Sequence, residues 1–244
     1  MNSQKNTFFR ITTPLATAAI AAILVSCAGL WGGNGGNGGD GTAPESDTTA
    51  TDTAGIVYRA ELGPLNDSVA GMSATGMATI RVKGDTMFIN VMASGLEPGM
   101  MHLQHYHGYP DGQDASCASM DQDINGDGIV DLVETRDVSG ITLVPFNENP
   151  AELELTAETY PEASDQGTVT YTDTVLISEL RPALQEKFGI DSLQLENRVV
   201  YLHGISEDTE LPESVQSLPD VPAHVTLPVA CGKLEKVDDS WLPF

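Results

Sequence analysis

The chain has 244 residues, with 35 Asp and Glu against 11 Lys and Arg, so its formal net charge at pH 7 is −24. This excess of negative charge argues against nucleic-acid binding, which needs clustered basic side chains. It is compatible with the binding of cations, and equally with solubility in a saline medium.

The first 26 residues have the features of an export signal. Lys5 and Arg10 precede an apolar run over 14–26 that is short for a permanent membrane-spanning helix. The run ends in LVSC at Cys27, which resembles a bacterial lipobox, where cleavage precedes a lipidated cysteine. We therefore predict a signal peptide over 1–26 and a lipid anchor on Cys27 that holds the protein outside the cytoplasm, in the bacterial cell envelope. An ordinary signal peptide with an incidental cysteine is the alternative.

A tether and one domain are predicted after the signal. Residues 27–55 are rich in Gly, Asn, Thr, Ser and Asp, a composition that cannot bury enough surface to offset the entropy of ordering. A flexible tether is therefore expected there. Residues 56–244 are enough for one domain with a hydrophobic core. Besides Cys27 the chain has Cys117 and Cys231, and two cysteines left in an exported domain are expected to form a disulfide.

The domain has the sequence pattern of an all-β fold. Apolar residues alternate with polar ones from Ala78 to Val82, a turn follows at 83–85, and the alternation resumes from Met87 to Val91. This predicts a hairpin. Many short strands separated by Gly and Pro predict a β-sandwich or barrel with long loops. Further strands are predicted over 141–146, 152–157, 168–171, 198–203 and 224–230, and one short helix over 178–187, capped by Ser178.

Three of the five histidines lie in the stretch HLQHYHG, which begins at His102. Residues two apart in a strand point to the same face, so His105 and His107 are candidates to hold one metal ion, while His102 falls on the other face of a regular strand. His203 lies in a later predicted strand, and two close ligands with one distant ligand commonly form a site between strands. Imidazole-rich sites suit copper and zinc. Ordinary packing and hydrogen bonding of these histidines is the alternative.

These features, taken in order, resemble the copper/zinc superoxide dismutases. The resemblance spans about residues 78–234 and rests on GLEPG before His102, the spacing HxxHxH, Cys117, VVYLH ending at His203, and ACG around Cys231. It implies a Greek-key β-barrel of eight strands. It also implies copper ligands at His105, His107 and His203, a structural role for His102 through a bond to the backbone across the site, and a Cys117–Cys231 disulfide.

Several positions depart from that family. Asp123 stands where the family has the histidine that bridges its two metals, and no histidine occurs between His107 and His203 to supply the remaining zinc ligands. Pro228 stands where the family has the arginine that attracts superoxide. Zinc is therefore not expected in its usual site, and the negative charge of the chain would slow the encounter with an anionic substrate. His224 remains as a fourth copper ligand or, alternatively, a surface histidine.

The acidic stretch DINGDGIVDLVE, residues 123–134, matches the twelve-residue calcium loop. Gly128 stands at position 6, where the loop turns sharply. No pair of flanking helices is evident, so we predict a calcium loop inserted in a β-domain, where calcium would order a loop that zinc orders in the dismutases. A solvated acidic turn is the alternative. The predicted ligands are Asp123, Asn125, Asp127, the carbonyl of Ile129, Asp131 and Glu134.

Three functions follow from these patterns. The first is a membrane-tethered, extracytoplasmic domain that binds copper and calcium without efficient dismutase activity. The second is a copper-only superoxide dismutase. The third is a structural or interaction module, because residues 57–96 also resemble the chordin-type (CHRD) domain, an extracellular β-sandwich without established catalysis.

Overall fold

The computed structural model of the chain describes residues 55–155 and 157–237. The predicted signal peptide, Cys27 and the predicted tether up to residue 54 lie outside the described residues. Within the described part, no helix combines the length and the apolar character needed to cross a membrane.

Strands make up most of the regular secondary structure of the described residues, which confirms the predicted all-β class. The strands are β1 (Ile56–Pro64), β2 (Thr75–Lys83), β3 (Thr86–Ser94), β4 (Leu103–Gly108), β5 (Ile141–Pro145), β6 (Thr168–Leu176), β7 (Val199–His203), β8 (Pro228–Lys233) and β9 (Glu235–Val237). The helices are α1 (Asp67–Ala70), α2 (Arg136–Ser139), α3 (Ile177–Phe188) and α4 (Ala223–Thr226). Short 3₁₀ turns lie at Met120–Gln122, Pro150–Glu152, Ala157–Thr159 and Leu195–Asn197.

The strands form one antiparallel sheet that curls into a half-barrel. Its order is β5-β4-β7-β8-β1-β2-β3-β6, with β9 paired to β1. β1 joins the two halves, because its first seven residues pair with β2 while Gly63 and Pro64 pair with β8. The non-consecutive neighbours β3–β6 and β4–β7 are joined by crossover connections of the Greek-key type.

The predicted hairpin is present as β2 and β3. Ile80 lies opposite Ile89, and Ala78 lies opposite Val91. All four side chains are fully buried, because residues that alternate along a strand share one face and here that face lines the core. The turn between the strands contains Gly84 at a positive φ of 59°, a conformation that glycine adopts without steric cost.

The predicted helix is confirmed as α3, but its cap was wrong. The helix begins at Ile177, and the carboxylate of Asp85, in the hairpin turn, accepts hydrogen bonds from the backbone N–H and hydroxyl of Ser178. The cap therefore comes from a residue distant in sequence. Gly189 ends the helix in a left-handed conformation, as is common at helix C-termini.

Two predicted strands were wrong in whole or in part. Where a strand was expected over 152–157, the structure has the end of the 3₁₀ turn Pro150–Glu152, followed by Leu153, whose φ of 56° is incompatible with a strand. Leu153 is buried in the core, which explains the apolar signal. The first half of the strand expected over 224–230 is the helical turn α4, and only its second half belongs to β8.

Both faces of β4 and β7 are buried, which sets the position of the candidate site. Tyr106 and Leu202 face the main core. Tyr201 packs on the opposite face in a second apolar cluster with Ala118 and Val130. This outer face is covered by the segment 109–140, and the predicted disulfide between Cys117 of that segment and Cys231 of β8 is present.

Candidate metal centre

Three histidines meet on the covered outer face of β4 and β7. His105 and His107 alternate with Tyr106, so they point away from the main core. In the register of the two strands, His105 lies opposite Tyr201, and His203 is two residues farther along the same face. Neighbouring positions on one face of a sheet lie within reach of long side chains, and the sequence therefore brings all three rings together.

The ring nitrogens of this histidine triad converge. One nitrogen of each ring lies within 4.8 Å of the others, and all three residues are buried. Nε2 of His107 lies 3.0 Å from Nδ1 of His105. Two nitrogens that each lie about 2.0–2.1 Å from one ion are about 3 Å apart, so this separation suits ligands of a single metal. Among the residues that the structure describes, no other group of three His, Cys, Asp or Glu side chains converges in this way.

His203 has the hydrogen bonding expected of a metal ligand. Its Nδ1 donates to the carbonyl oxygen of Thr226 at 2.7 Å, which leaves the lone pair on Nε2. That Nε2 atom is buried and has no hydrogen-bond partner. Histidines that bind metals usually donate their second ring nitrogen to such an acceptor, because this orients the ring and selects the tautomer. A bound ion would satisfy the remaining nitrogen.

Burial keeps the triad neutral. It lowers the pKa of His203 to about 4, because a charged imidazolium is poorly solvated away from water. Burial, with a smaller effect from the neighbouring histidines, also lowers the pKa of His105 and of His107 well below the usual range. Neutral imidazoles carry the lone pairs that metals require. At neutral pH the three rings are therefore in the protonation state that can bind a cation.

His102 lies just before β4 and outside the triad. Its Nδ1 is 3.1 Å from the carbonyl oxygen of His203, and its Nε2 is 3.2 Å from the carbonyl oxygen of Glu97. Burial lowers the pKa of His102, and a neutral ring donates to only one of the two carbonyls. The ring therefore lies between the backbone of β7 and the turn before β4, and it is hydrogen-bonded to one of the two carbonyl groups.

The other positions considered from the sequence are not members of the triad. The ring of His224 donates to the carbonyl oxygen of Thr209 at 2.7 Å, and this residue is not in the group of converging ligands. Pro228 is buried in β8 opposite His203. Asp123 lies in the acidic loop, where its carboxylate accepts backbone N–H groups.

Sequence patterns did not identify three neighbours of the triad. The hydroxyl of Thr142 on β5 lies 3.2 Å from Nε2 of His107. The ring of Tyr201 lies 4.9 Å from that of His107, and the ring of Tyr160 packs edge-on against His105 with its hydroxyl buried and without a partner. These contacts join distant parts of the chain, so no local spacing signals them.

The predicted calcium loop, residues 123–134, folds as a series of tight turns. The carboxylate of Asp123 accepts hydrogen bonds from the backbone of residues 126, 127 and 128. Asn125 and Asp127 each accept a hydrogen bond from the backbone two residues ahead. Glu134, at the end, accepts hydrogen bonds from the backbone of Ile124 and Asn125, so the two ends meet. The carboxylates of the loop thus accept hydrogen bonds from backbone N–H groups. Among the described residues, no three of the loop's acidic side chains converge as the histidines do.

This loop also holds a later segment of the chain. Asp131 accepts a hydrogen bond from the backbone N–H of Gln216 at 2.7 Å, and the hydroxyl of Ser214 donates to Asp127 at 2.6 Å. The segment 217–219, which follows directly, forms one wall of a cavity beside His107. The acidic loop therefore holds the segment whose next residues line the same cavity as His107.

Comparison with protein families and with curated proteins does not identify a family for this chain. No protein-family model matches the chain, and no curated protein matches it significantly.

Proposed function

We propose that the chain is a metal-binding domain of the superoxide dismutase-like superfamily, in which His105, His107 and His203 hold a copper ion. The observation that carries the proposal is the buried convergence of the three rings, with Nε2 of His203 left free by the bond of Nδ1 to Thr226. A set of imidazoles suits copper, and the order of the motifs along the chain favours it over zinc.

The chain's own residues would orient and shield the ion. The carbonyl of Thr226 holds the ring of His203, and the hydroxyl of Thr142 contacts His107. The segment 109–140 and its disulfide cover the face on which the triad lies. Copper in such a site would supply one-electron redox chemistry.

Inefficient dismutase activity is proposed because two residues expected from the resemblance, the arginine that attracts superoxide and the histidine that bridges the metals, are replaced. Pro228 replaces the arginine expected from the resemblance, and its ring carries no charge. Asp123 replaces the bridging histidine and lies in an acidic loop. The net charge of −24 repels an anion at long range. Storage or buffering of copper at the cell envelope, with the lipid on Cys27 as anchor, is the function these features support.

One observation favours the alternative of a copper-only superoxide dismutase. Arg136 and Lys187 line the cavity beside His107, and none of the described residues that line it is Asp or Glu. This local positive charge would attract a small anion towards the histidines despite the charge of the whole chain. The two functions differ in turnover and share the same copper site.

A second metal is proposed in loop 123–134. Its residues fit the calcium pattern at six constrained positions, with Gly128 at the sharp turn. The hydrogen bonds of Asp123, Asn125 and Asp127 already bend the backbone tightly. Calcium would exchange some of these amide contacts for carboxylate coordination and stabilise the folded loop.

The experiment that tests the copper site is metal analysis of the purified protein. The protein is stripped with a chelator, loaded with Cu(II), dialysed and analysed for copper, and its consumption of superoxide is then measured. We expect about one copper ion per chain in the wild type and almost none in His105→Ala. His224→Ala is the matched control, because its ring lies outside the triad, and it should retain copper.

The outcomes separate the two functions. Bound copper with negligible superoxide consumption supports the binding function, and bound copper with rapid consumption supports the dismutase. Failure of the wild type to retain copper would overturn both.

A further inference from the structure

The cavity beside the histidine triad has the size and lining of a small-molecule site. Its volume is about 340 Å³, and ligand pockets in proteins span roughly 300–1,000 Å³. The lining is mostly apolar and includes Leu143, Leu153 and Phe188. Leu143 and Leu153 are buried, so the inner surface is fixed by the core. Such a surface favours an apolar ligand body.

The charged groups in the lining of the cavity are all positive. Arg136 and Lys187 contribute two of the chain's 11 basic side chains, while none of its 35 acidic residues is among the described residues of the lining. This is the reverse of the chain's average composition. A concave site lined by one sign of charge concentrates ligands of the opposite sign, so the cavity selects an anion.

Both cations are available to a ligand. Arg136 is exposed and takes part in no salt bridge with the carboxylates that the structure describes. Lys187 donates to the carbonyl oxygen of Leu153 at 2.6 Å and lies 3.9 Å from the exposed carboxylate of Glu154. A lysine ammonium has three donors, so further contacts remain possible. Arginine also matches the planar, two-oxygen geometry of a carboxylate.

One wall of the cavity is held in place in advance. The backbone N–H of Gln216 and the hydroxyl of Ser214 are bonded to Asp131 and Asp127 of the acidic loop. The wall segment 217–219 follows directly. A wall ordered before binding reduces the entropy lost when a ligand enters.

We propose that this cavity binds an amphipathic organic carboxylate. Its apolar body lies against Leu143, Leu153 and Phe188, and its carboxylate pairs with Arg136 and Lys187. This binding does not depend on a metal ion at the histidine triad.

The test is titration calorimetry of the metal-free protein with octanoate, the neutral isostere octanamide, and acetate. We expect octanoate to saturate one site and to bind about tenfold more tightly than octanamide, the difference being the charged group. Acetate, which lacks the apolar body, should not bind measurably. The double variant Arg136→Gln/Lys187→Gln should lose most of the tenfold preference yet still bind octanamide.

The matched control is Arg181→Gln/Lys236→Gln, which changes the net charge equally at exposed positions outside this cavity. It should keep the preference for octanoate. Leu155→Asp, which places an acid in the lining, should weaken octanoate about tenfold or more. Absence of saturable octanoate binding by the wild type, or equal preference in both double variants, overturns the proposal. Because copper is absent throughout, neither result bears on the metal site.

Discussion

Nε2 of His107 lies 3.0 Å from Nδ1 of His105, in a place where both rings are buried. At this distance, either one ring donates a hydrogen bond to the other, or the lone pairs of both nitrogens point to a shared cation. The free Nε2 of His203 and the buried, unpartnered Nδ1 of His107 show that the rings do not satisfy one another completely. Buried polar atoms without partners are costly, and a metal ion would relieve part of that cost.

The contact between Thr142 and His107 predicts that a residue which does not bind the metal tunes its affinity. Thr142→Val keeps the β-branched shape but removes the hydroxyl 3.2 Å from Nε2. That nitrogen faces His105 and would bind the ion, so in the metal-free protein the hydroxyl occupies its lone pair. We expect copper affinity, measured by competition with a chelator, to rise about 5-fold when this hydrogen bond, worth about 1 kcal/mol, is lost. Thr174→Val, at an exposed position on β6, should leave the affinity unchanged. Equal affinities in the two variants would show that Thr142 does not compete with the ion for His107.

The burial of His203 predicts that the metal-free protein loses stability in mild acid. The folded pKa is about 4, against about 6.5 in an unfolded chain. At pH values between these two pKa values, the imidazole is protonated in the unfolded chain and neutral in the folded protein. The free energy of unfolding therefore falls as pH falls. For this group the loss is about 1.4 kcal/mol per pH unit in that window, or about 3 kcal/mol in all.

Denaturant unfolding of the metal-free protein at pH 7.5, 6 and 5 measures this effect. The variant His203→Gln has no ring to protonate, so its stability should depend less steeply on pH than that of the wild type. Parallel pH profiles for the two proteins would rule out His203 as the source.

The disulfide predicts a large dependence of stability on oxidation. Cys117 and Cys231 are separated by 114 positions, and closing a loop of about 100 residues restricts the unfolded chain enough to stabilise the fold by about 4.7 kcal/mol in the chain-entropy model. We expect Cys117→Ser/Cys231→Ser to unfold at lower denaturant concentration by a corresponding amount. Adding a reductant should shift the wild type in the same direction and leave the double variant unaffected. A wild type that is indifferent to reductant would contradict this.

The acidic loop predicts a calcium-dependent melting temperature. Calcium at about 100 times its dissociation constant would stabilise the folded protein by about 2.7 kcal/mol, so the melting temperature of the wild type should rise. Asp123→Ala/Glu134→Ala removes the first and last predicted ligands and should abolish the rise. Asp165→Ala/Glu186→Ala removes two exposed acids elsewhere and should keep it. A rise of the same size in both double variants would assign the effect to general screening of negative charge.

Local pattern in the sequence was enough for the fold class, the β2–β3 hairpin and helix α3. Each depends on a short-range rule: alternation predicts a strand with one buried face, and the helix signal at Ser178 predicted a start within one residue of the observed Ile177. The rule failed at Leu153, where an apolar side chain is buried from a 3₁₀ turn, and at Ala223–Thr226, where a helical turn precedes β8. Burial alone does not distinguish these conformations from a strand.

For the site, the spacing of His105 and His107 determined that the two rings share a face, since side chains repeat every two residues along a strand. His203 was expected as the third member from the resemblance, and the pairing of β4 with β7, which aligns residues about a hundred positions apart, brings its ring to the other two. The bond of His203 to Thr226, the contact of His107 with Thr142, and the positive cavity lined by Arg136 and Lys187 likewise exist only after folding. They depend on strand register and on which loops cover the sheet, and these follow from long-range packing that no local spacing encodes.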